Sequence, residues 1–539
     1  MNIALSIGAL ALFTLMFRMV FRLTGDQSSD RWWSLLLWQL GFAVLLRERP
    51  LGAGLEVFDG IEYLEMARSW IAHQDLMLRF HQMTVPARYD PIFPVMFIAP
   101  SLTFFSSYEA ALIFPIAFSS LLPVLVYRVA VRWMPDPAAR WCAVASAFLP
   151  TFREWSGTLM IDGVVAVTLL SQLLLAMQYP HTSSPRRRHT IWVVYSCLAA
   201  VTFGLRMTNL VFSAFLFASF FLRRPFPRWP AIAVASVWWV GVGIAIAVYR
   251  QNTFGTPLRS GYQYWTSVPY DFPSLVFSIR YVADNFRDFV NSSRVVDLSA
   301  IAVLAFLALK GVGGSARVAD LRQGVGFAAL MVAFYSTYFF PSARFLMPAE
   351  ALLLLVAWMC VHHASANSRP RNRIAIAALA TLFLALSKPP PRLQGLARHI
   401  DILSRSVRPG DTLVTSINPL FVEQRLANVK VVPISRRVEY ASKIRMLSAP
   451  ENQRGRPENP LDHRWPLLSV MGGQEMYDHV AIDPEFDLTQ NDDRGHRTWL
   501  DLRYSKPDEV SRLREKYLLV AFSPQLALVR SRLSNYSPP

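Results

Sequence analysis

The chain of 539 residues is 53% hydrophobic and only 17% charged, with 54 Lys and Arg against 37 Asp and Glu for a formal net charge of +17 and a mean hydropathy of +0.28. Several apolar runs approach the ~20 residues that cross a bilayer core, which excludes a string of soluble domains and defines a polytopic membrane protein. In such a chain excess Lys and Arg belongs first to cytoplasmic loops and anionic headgroups, so membrane lipids are partners and nucleic acid is not.

Spans are predicted at 3–21, 32–46, 110–131, 140–153, 160–179, 191–205, 209–222, 229–249, 297–310, 324–340, 345–361 and 374–387, which sets the total at about 11 to 13. Residues 3–21 have neither a basic start nor a small-residue cleavage site and read as an uncleaved helix. The basic loops run over 22–31, 128–140, 186–188, 223–228, 310–322 and 369–373. They share one side if every span crosses once, and that side is the cytoplasmic one.

The apolar piece at 92–105, IFPVMFIAPSLTFF, breaks this parity if it crosses, so it is expected to lie along the outer interface. The outer side then receives the first loop, 47–109, the turns at Asp162, Arg206 and Arg344, the loop over 250–296, and everything after 388. The aromatic run GYQYWTSVPYDF in the 250–296 loop either covers a cavity or floats among headgroups as an aromatic belt.

Composition changes after Pro389-Pro390-Pro391. DTLVTS and VKVVPIS read as short strands, NPLFVEQRLA as a helix between them, and KYLLVAFSPQLALVRS as a terminal hairpin. The fold class is therefore mainly α: a polytopic transmembrane helical bundle over 1–388, with juxtamembrane helices in its first outer loop, and a small extracytoplasmic α/β domain over 389–539.

Chemistry-bearing residues gather on the outer side. Asp59 follows an apolar lead-in and opens a helix, where it is either a general base facing a membrane cavity or an N-cap; Glu62, three residues on, completes a capping box equally well. Asp162 sits at the mouth of a span, where an acid has no packing purpose, although a helix N-terminus also favours one. Arg344, on a tight turn between two spans, is suited to a lipid phosphate or to headgroup anchoring, and Arg206 and Arg88 carry the same two readings. His73 and His81 have no ligand spacing. Cys142, Cys197 and Cys360 lie in apolar runs and offer neither a disulfide framework nor a thiolate metal site. P-loop, GxGxxG, HExxH and GxSxG patterns are absent, which argues against a nucleotide-driven pump, a zinc protease and a serine hydrolase.

In order, the outer-loop acid motif FDGIEYLEMARSW, the segment YDPIFPVMF, the span-opening acid in REWSGTLMIDGVV, the turn GLRMTNLVF and the late PSARFLMPAEALLLL resemble the class C membrane glycosyltransferases. That superfamily includes protein O-mannosyltransferases, aminoarabinose lipid A transferases and oligosaccharyltransferases. The likeness covers about residues 30–390. It implies an inverting enzyme taking a sugar from a polyprenyl-phosphate donor to a lipid, glycan or protein acceptor on the outer face; in a bacterium that places the protein in the inner membrane with a periplasmic C-terminal domain, and in a eukaryote the outer side is the lumen. By the same resemblance Asp59 is the base, Asp162 is a second acid of the same cavity, and Arg344 holds the donor phosphate; Glu62 as a further acid, and Arg88 and Arg206 as weaker phosphate contacts, are candidates from their own positions on the outer side. The family often pairs two acids or a D-x-D triplet on the first loop, whereas Asp59 is followed by Gly60-Ile61-Glu62. No cofactor is implied with certainty, and a divalent metal stays open. The competing classes are a flippase or transporter for lipid-linked sugars, which calls for inverted repeats and broken midplane helices, and a noncatalytic membrane scaffold.

Overall fold

The computed structural model describes residues 2–25, 29–48, 58–80, 83–105, 109–222, 229–262, 276–293, 316–339, 342–364, 403–415, 426, 428–433, 479–482, 517–523 and 526–531. Internal packing divides the chain into two compact units. The first comprises Met1–Asp75, Asp90–Leu258 and Ser278–Pro390, and the second Leu76–Tyr89, Arg259–Phe277 and Pro391–Pro539.

The first unit is helical. Its elements are α1 (Asn2–Thr24), α2 (Ser29–Glu48), α3 (Phe58–His73), α4 (Ala99–Phe105), α5 (Ile113–Ser119), α6 (Leu122–Trp133), α7 (Asp136–Ser146), α8 (Pro150–Trp155), α9 (Asp162–Gln178), α10 (Pro185–Leu205), α11 (Leu210–Leu222), α12 (Trp229–Phe254), α13 (Val282–Ser293), α14 (Ala316–Ser336) and α15 (Met347–Ala364). Among the described residues, four helical stretches are long and apolar enough to cross a membrane: Asn2–Thr24, Ala110–Trp133, Asp162–His181 and Trp229–Phe254. On α12 the exposed side chains Val234, Val237, Val240, Ile244 and Val248 recur every three or four residues. That spacing makes one apolar stripe, which is costly in water and suited to lipid. The chain is an integral membrane protein.

The core is built around α9, DGVVAVTLLSQLLLAMQ, whose residues from Asp162 to Met177 are all buried. A helix apolar on every face has to be covered on every face, and α1, α5, α6, α10, α11 and α15 all pack against it. At 1.5 Å per residue, α9 separates its two ends by about 25 Å. The predicted span at 140–153 is two helices: α7 ends at Ser146, Ala147–Leu149 forms a turn, and Pro150 opens α8. Hydropathy is continuous across this break, but a proline ring fits a helix start far better than a helix interior.

The segment predicted to lie on the interface is a π-helical turn, Pro94–Ile98, followed by α4. Its helical length of about 18 Å falls short of a ~30 Å hydrocarbon core. Aromatic contacts fix it in place: the Phe13 ring of α1 lies 5.1 Å from Phe97 and 5.0 Å from Phe118, and Phe93 lies 5.0 Å from Tyr63 of α3.

Four predicted basic loops meet at one end of the unit. Arg187 donates to the Leu23 carbonyl at 2.7 Å, and both Arg132 and His181 face Asp320. The predicted spans at 297–310 and 374–387 lie outside the described residues.

In the second unit, β1 (Met77–Phe80) and β2 (Met83–Pro86) form an antiparallel hairpin. A mixed five-stranded sheet is made of β3 (Thr412–Thr415), β4 (Lys430–Pro433), β5 (His479–Ile482), β6 (Tyr517–Ser523) and β7 (Leu526–Ser531) in the order β4-β3-β5-β7-β6. β3 pairs in parallel with β4 and β5, and β7 pairs antiparallel with β5 and β6. DTLVTS, VKVVPIS and the terminal hairpin thus supply β3, β4 and the β6–β7 pair. The hairpin of the first outer loop and β5 were not read from the sequence. The helix expected over NPLFVEQRLA falls outside the described residues except at Leu426.

Candidate active site

Four of the sequence-predicted residues come together at the N-terminal end of α9. Asp59 lies in the first turn of α3 and Asp162 in the first turn of α9. Arg206 follows the last residue of α10, and Arg344 stands in the 3-10 turn Ala343–Leu346 that leads into α15. Close backbone approach at two glycines makes the meeting geometrically feasible. A Cβ on Gly60 would stand 2.9 Å from the Leu159 carbonyl oxygen, so the start of α3 rests directly on the turn preceding Asp162. A Cβ on Gly163 would overlap the hydroxyls of Ser119 and Ser156, which lets α5 and the turn after α8 close against the start of α9.

The Arg344 guanidinium lies between both acids: Nη2 donates to Asp59 Oδ2 at 3.1 Å, and Nε faces Asp162 Oδ2 at 3.7 Å. Arg206 Nη2 donates to Asp162 Oδ1 at 2.7 Å. Aromatic faces wall the cations, with Arg344 Cζ 5.3 Å from the Trp155 ring and 5.1 Å from Phe345, and Arg206 Cζ 4.4 Å from Phe345. The Asp162 side chain is 1% exposed, against 11% for Asp59 and 9% for Arg344. Asp59 is thus the rim of the cluster and Asp162 its floor. Two carboxylates and two guanidiniums balance, so none of these charges is buried without an opposite partner.

Asp59 lies inside its helix, which begins at Phe58, and its carboxylate is directed to Arg344. Glu62 is fully buried on the same helix and interacts electrostatically with Tyr249 of α12. Arg88 belongs to the second unit, where its guanidinium is 5.8 Å from the Tyr89 ring. There the backbone of Ala87 and Arg88 packs so tightly on Gly261 that a Cβ would not fit, and the Tyr89 and Tyr262 rings meet edge-on at 5.6 Å. The rest of the aromatic run after Tyr262 lies outside the described residues, as does His81.

A second buried ion pair was missed by sequence reasoning. Arg250, at the end of α12, grips Asp90 with two bonds, Nε to Oδ1 at 3.0 Å and Nη2 to Oδ2 at 2.8 Å, and Nη2 also lies 2.9 Å from the sulfur of Met207. Met207 is the neighbour of Arg206, so this clamp ties the entry of the interfacial segment to the turn that carries a site cation. Burial pushes the Asp90 carboxyl above the ordinary carboxylate range, and the paired Arg250 pulls it back. The available signal was Asp90 before Pro91 at the corner Arg88-Tyr89-Asp90-Pro91; nothing local pointed to its partner. Among the described residues no three His, Cys, Asp or Glu side chains gather to hold a metal ion.

Helices long enough to cross a membrane, a short aromatic-anchored segment between α3 and α5, and acid and Arg side chains meeting where spans begin describe a polytopic membrane protein with the fold of the class C glycosyltransferases. Two solved structures carry that statement. Against ArnT from Cupriavidus metallidurans bound to undecaprenyl phosphate, the TM-score is 0.57 at 13% identity, covering 94% of this chain and 99% of that one. Against the same protein in the apo state it is 0.55 at 14% identity, covering 95% and 100%. No protein-family model matches the sequence. No curated protein matches it either.

Proposed function

We propose that this protein is a membrane glycosyltransferase that moves a sugar from a polyprenyl-phosphate donor to an acceptor at the outer face of the membrane, the periplasmic face of a bacterial inner membrane. The observation that carries the reading is the buried cluster Asp59–Arg344–Asp162–Arg206, assembled from four separate elements at the end of the bundle opposite the basic loops. A transporter has no need to bring a carboxylate of the first outer loop onto a guanidinium at the start of α15.

In this reading the donor's prenyl tail stays in the bilayer and its phosphate meets Arg344. Arg offers a planar fork of N–H donors matched to phosphate oxygens. The acceptor oxygen or nitrogen attacks the anomeric carbon from the face opposite the phosphate, with inversion. The new bond forms as the bond to phosphate oxygen breaks; the acceptor proton passes to the Asp59 carboxylate, and polyprenyl phosphate departs with the electron pair. Asp162, paired with Arg206, holds Arg344 at the height where charge develops on the departing phosphate. Glu62 supports the α3 face behind Asp59. The second unit, with its five-stranded sheet, is read as the part that binds the acceptor.

The test is transfer by purified protein supplied with a polyprenyl-phosphate sugar, comparing wild type with Asp59→Asn. A general base contributes about 10²- to 10⁴-fold, so transfer per folded molecule is expected to fall by about that factor. Equal transfer by Asp59→Asn removes Asp59 from the role.

A further inference from the structure

We propose that the donor phosphate and Asp59 are rival ligands of Arg344, so that donor binding is what releases the base; this rests on the reading above, in which the phosphate binds Arg344. The structure holds Asp59 in an ion pair with Arg344, Nη2 to Oδ2 at 3.1 Å. A carboxylate in that pair is a poor base, because its charge is already stabilised by the guanidinium. The same guanidinium is a poor phosphate ligand, because the four side chains Asp59, Asp162, Arg206 and Arg344 together carry no net charge. Both defects have one remedy, the exchange of one anion for the other on Arg344.

Which carboxylate gives way follows from the geometry. Asp162 has one oxygen toward Arg206 at 2.7 Å and the other toward Arg344 at 3.7 Å, and its side chain is 1% exposed. Asp59 is the more exposed acid at 11%, so an anion arriving from the open side reaches the Asp59–Arg344 contact before it reaches Asp162. Asp59 also lies in the first turn of α3, whose N-terminal dipole stabilises a carboxylate that has left its cation. Trp155 and Phe345 flank the guanidinium at 5.3 and 5.1 Å and restrict its swing. The phosphate therefore comes to Arg344 rather than Arg344 travelling to the phosphate. After the exchange Asp59 faces a phosphate instead of a cation, which raises its basicity only when a donor is present. The expected kinetic order is donor first, then acceptor deprotonation.

The experiment measures binding of a sugar-free polyprenyl phosphate to the full-length protein in nanodiscs, for wild type, Asp59→Asn, Arg344→Met and the double variant. Asp59→Asn is expected to bind at least about fivefold tighter than wild type although its sugar transfer is reduced as above, and Asp59→Ser serves as a second probe of the same position. The gain must pass through Arg344: Asp59→Asn/Arg344→Met should bind no tighter than Arg344→Met alone, whereas simple relief of charge repulsion would persist without the arginine. Equal or weaker binding by Asp59→Asn and Asp59→Ser overturns the exchange, as does a gain that survives in the double variant. If Arg344→Met weakens binding but the Asp59 variants do not strengthen it, the exchange fails and the glycosyltransferase reading stands. If Arg344→Met binds like wild type, the phosphate does not sit on Arg344 and both fail together.

Discussion

The two ends of α9 carry ionic clusters of opposite design, one buried and one partly exposed. At its N-terminal end, Asp59, Asp162, Arg206 and Arg344 come from four elements, and one guanidinium faces two carboxylates. At its C-terminal end the contacts run around Asp320 and Asp136. Arg132 Nη1 and His181 Nε2 lie 3.7 and 3.4 Å from Asp320, Tyr127 donates to Asp136 at 2.6 Å, and Arg140 reaches Asp136 at 2.5 Å one helical turn away. Here a cation-rich rim surrounds single acids, His181 is 41% exposed, and the closest pair is local. This pattern fastens helix ends at the basic end of the bundle. The first pattern holds two acids against two cations between aromatic walls, an arrangement in which an incoming anion has something to displace.

The largest expected difference between the ends is in turnover. If the proposed reading holds, Arg344→Met should lower sugar transfer about 10³-fold, or about 4 kcal/mol at 1.36 kcal/mol per decade, because in that reading it removes the group that meets the departing phosphate. Arg132→Met, the matching cation at the other end, should leave transfer within about twofold, its cost falling on stability as for a partly exposed pair. Comparable losses of turnover in both variants, at equal folded fraction, would erase the functional distinction between the ends.

Much of the first cluster was legible because each member breaks a local expectation. Asp162 and Arg344 are charges at the mouths of apolar spans, and Asp59 and Arg206 border spans on the same side by the parity of basic loops. Their mutual pairing was not legible, since Asp59 and Arg344 are separated by 285 residues and no local pattern encodes which acid meets which cation. The Asp90–Arg250 clamp was hidden for the same reason, across 160 residues. Each of its members reads alone as a solvated loop charge. The break between α7 and α8 escaped because hydropathy averages over Ala147–Leu149, and the β1–β2 hairpin because four-residue strands carry too little alternation to be told from a loop.

That clamp gives the next effect in size, this time in stability within one end. Arg250 is 5% exposed and the Asp90 side chain 18%, so removing Arg250 strands a mostly buried carboxylate at a cost of about 3 kcal/mol at most, below that of a fully buried pair. Arg250→Met should therefore lower the unfolding midpoint in detergent markedly. Asp90→Leu/Arg250→Met should recover most of the loss, since neither charge is then left buried. If the double variant is no better than the single one, the clamp's value lies in holding the turn at Met207 in place rather than in charge balance.

The smallest effect belongs to the far end of α9. Arg140 and Asp136 are 30% and 43% exposed and one turn apart on α7, and pairs of this kind contribute about 0.3–0.5 kcal/mol on a helix surface. Asp136 nevertheless also accepts the hydroxyl of Tyr127, whose ring is fully buried on α6. Arg140→Ala should therefore cost little, chiefly the stacking of its guanidinium on the Trp33 ring at 4.6 Å, while Asp136→Ala should cost about 1 kcal/mol more, because it also removes an acceptor of the Tyr127 hydroxyl. Thermal unfolding of both variants, with transfer measured in parallel, reads this directly. A stability loss in Asp136→Ala with unchanged transfer places the basic end in the architecture of the bundle. A transfer loss there, at intact stability, would instead mean that the two ends of α9 are coupled through about 25 Å of helix.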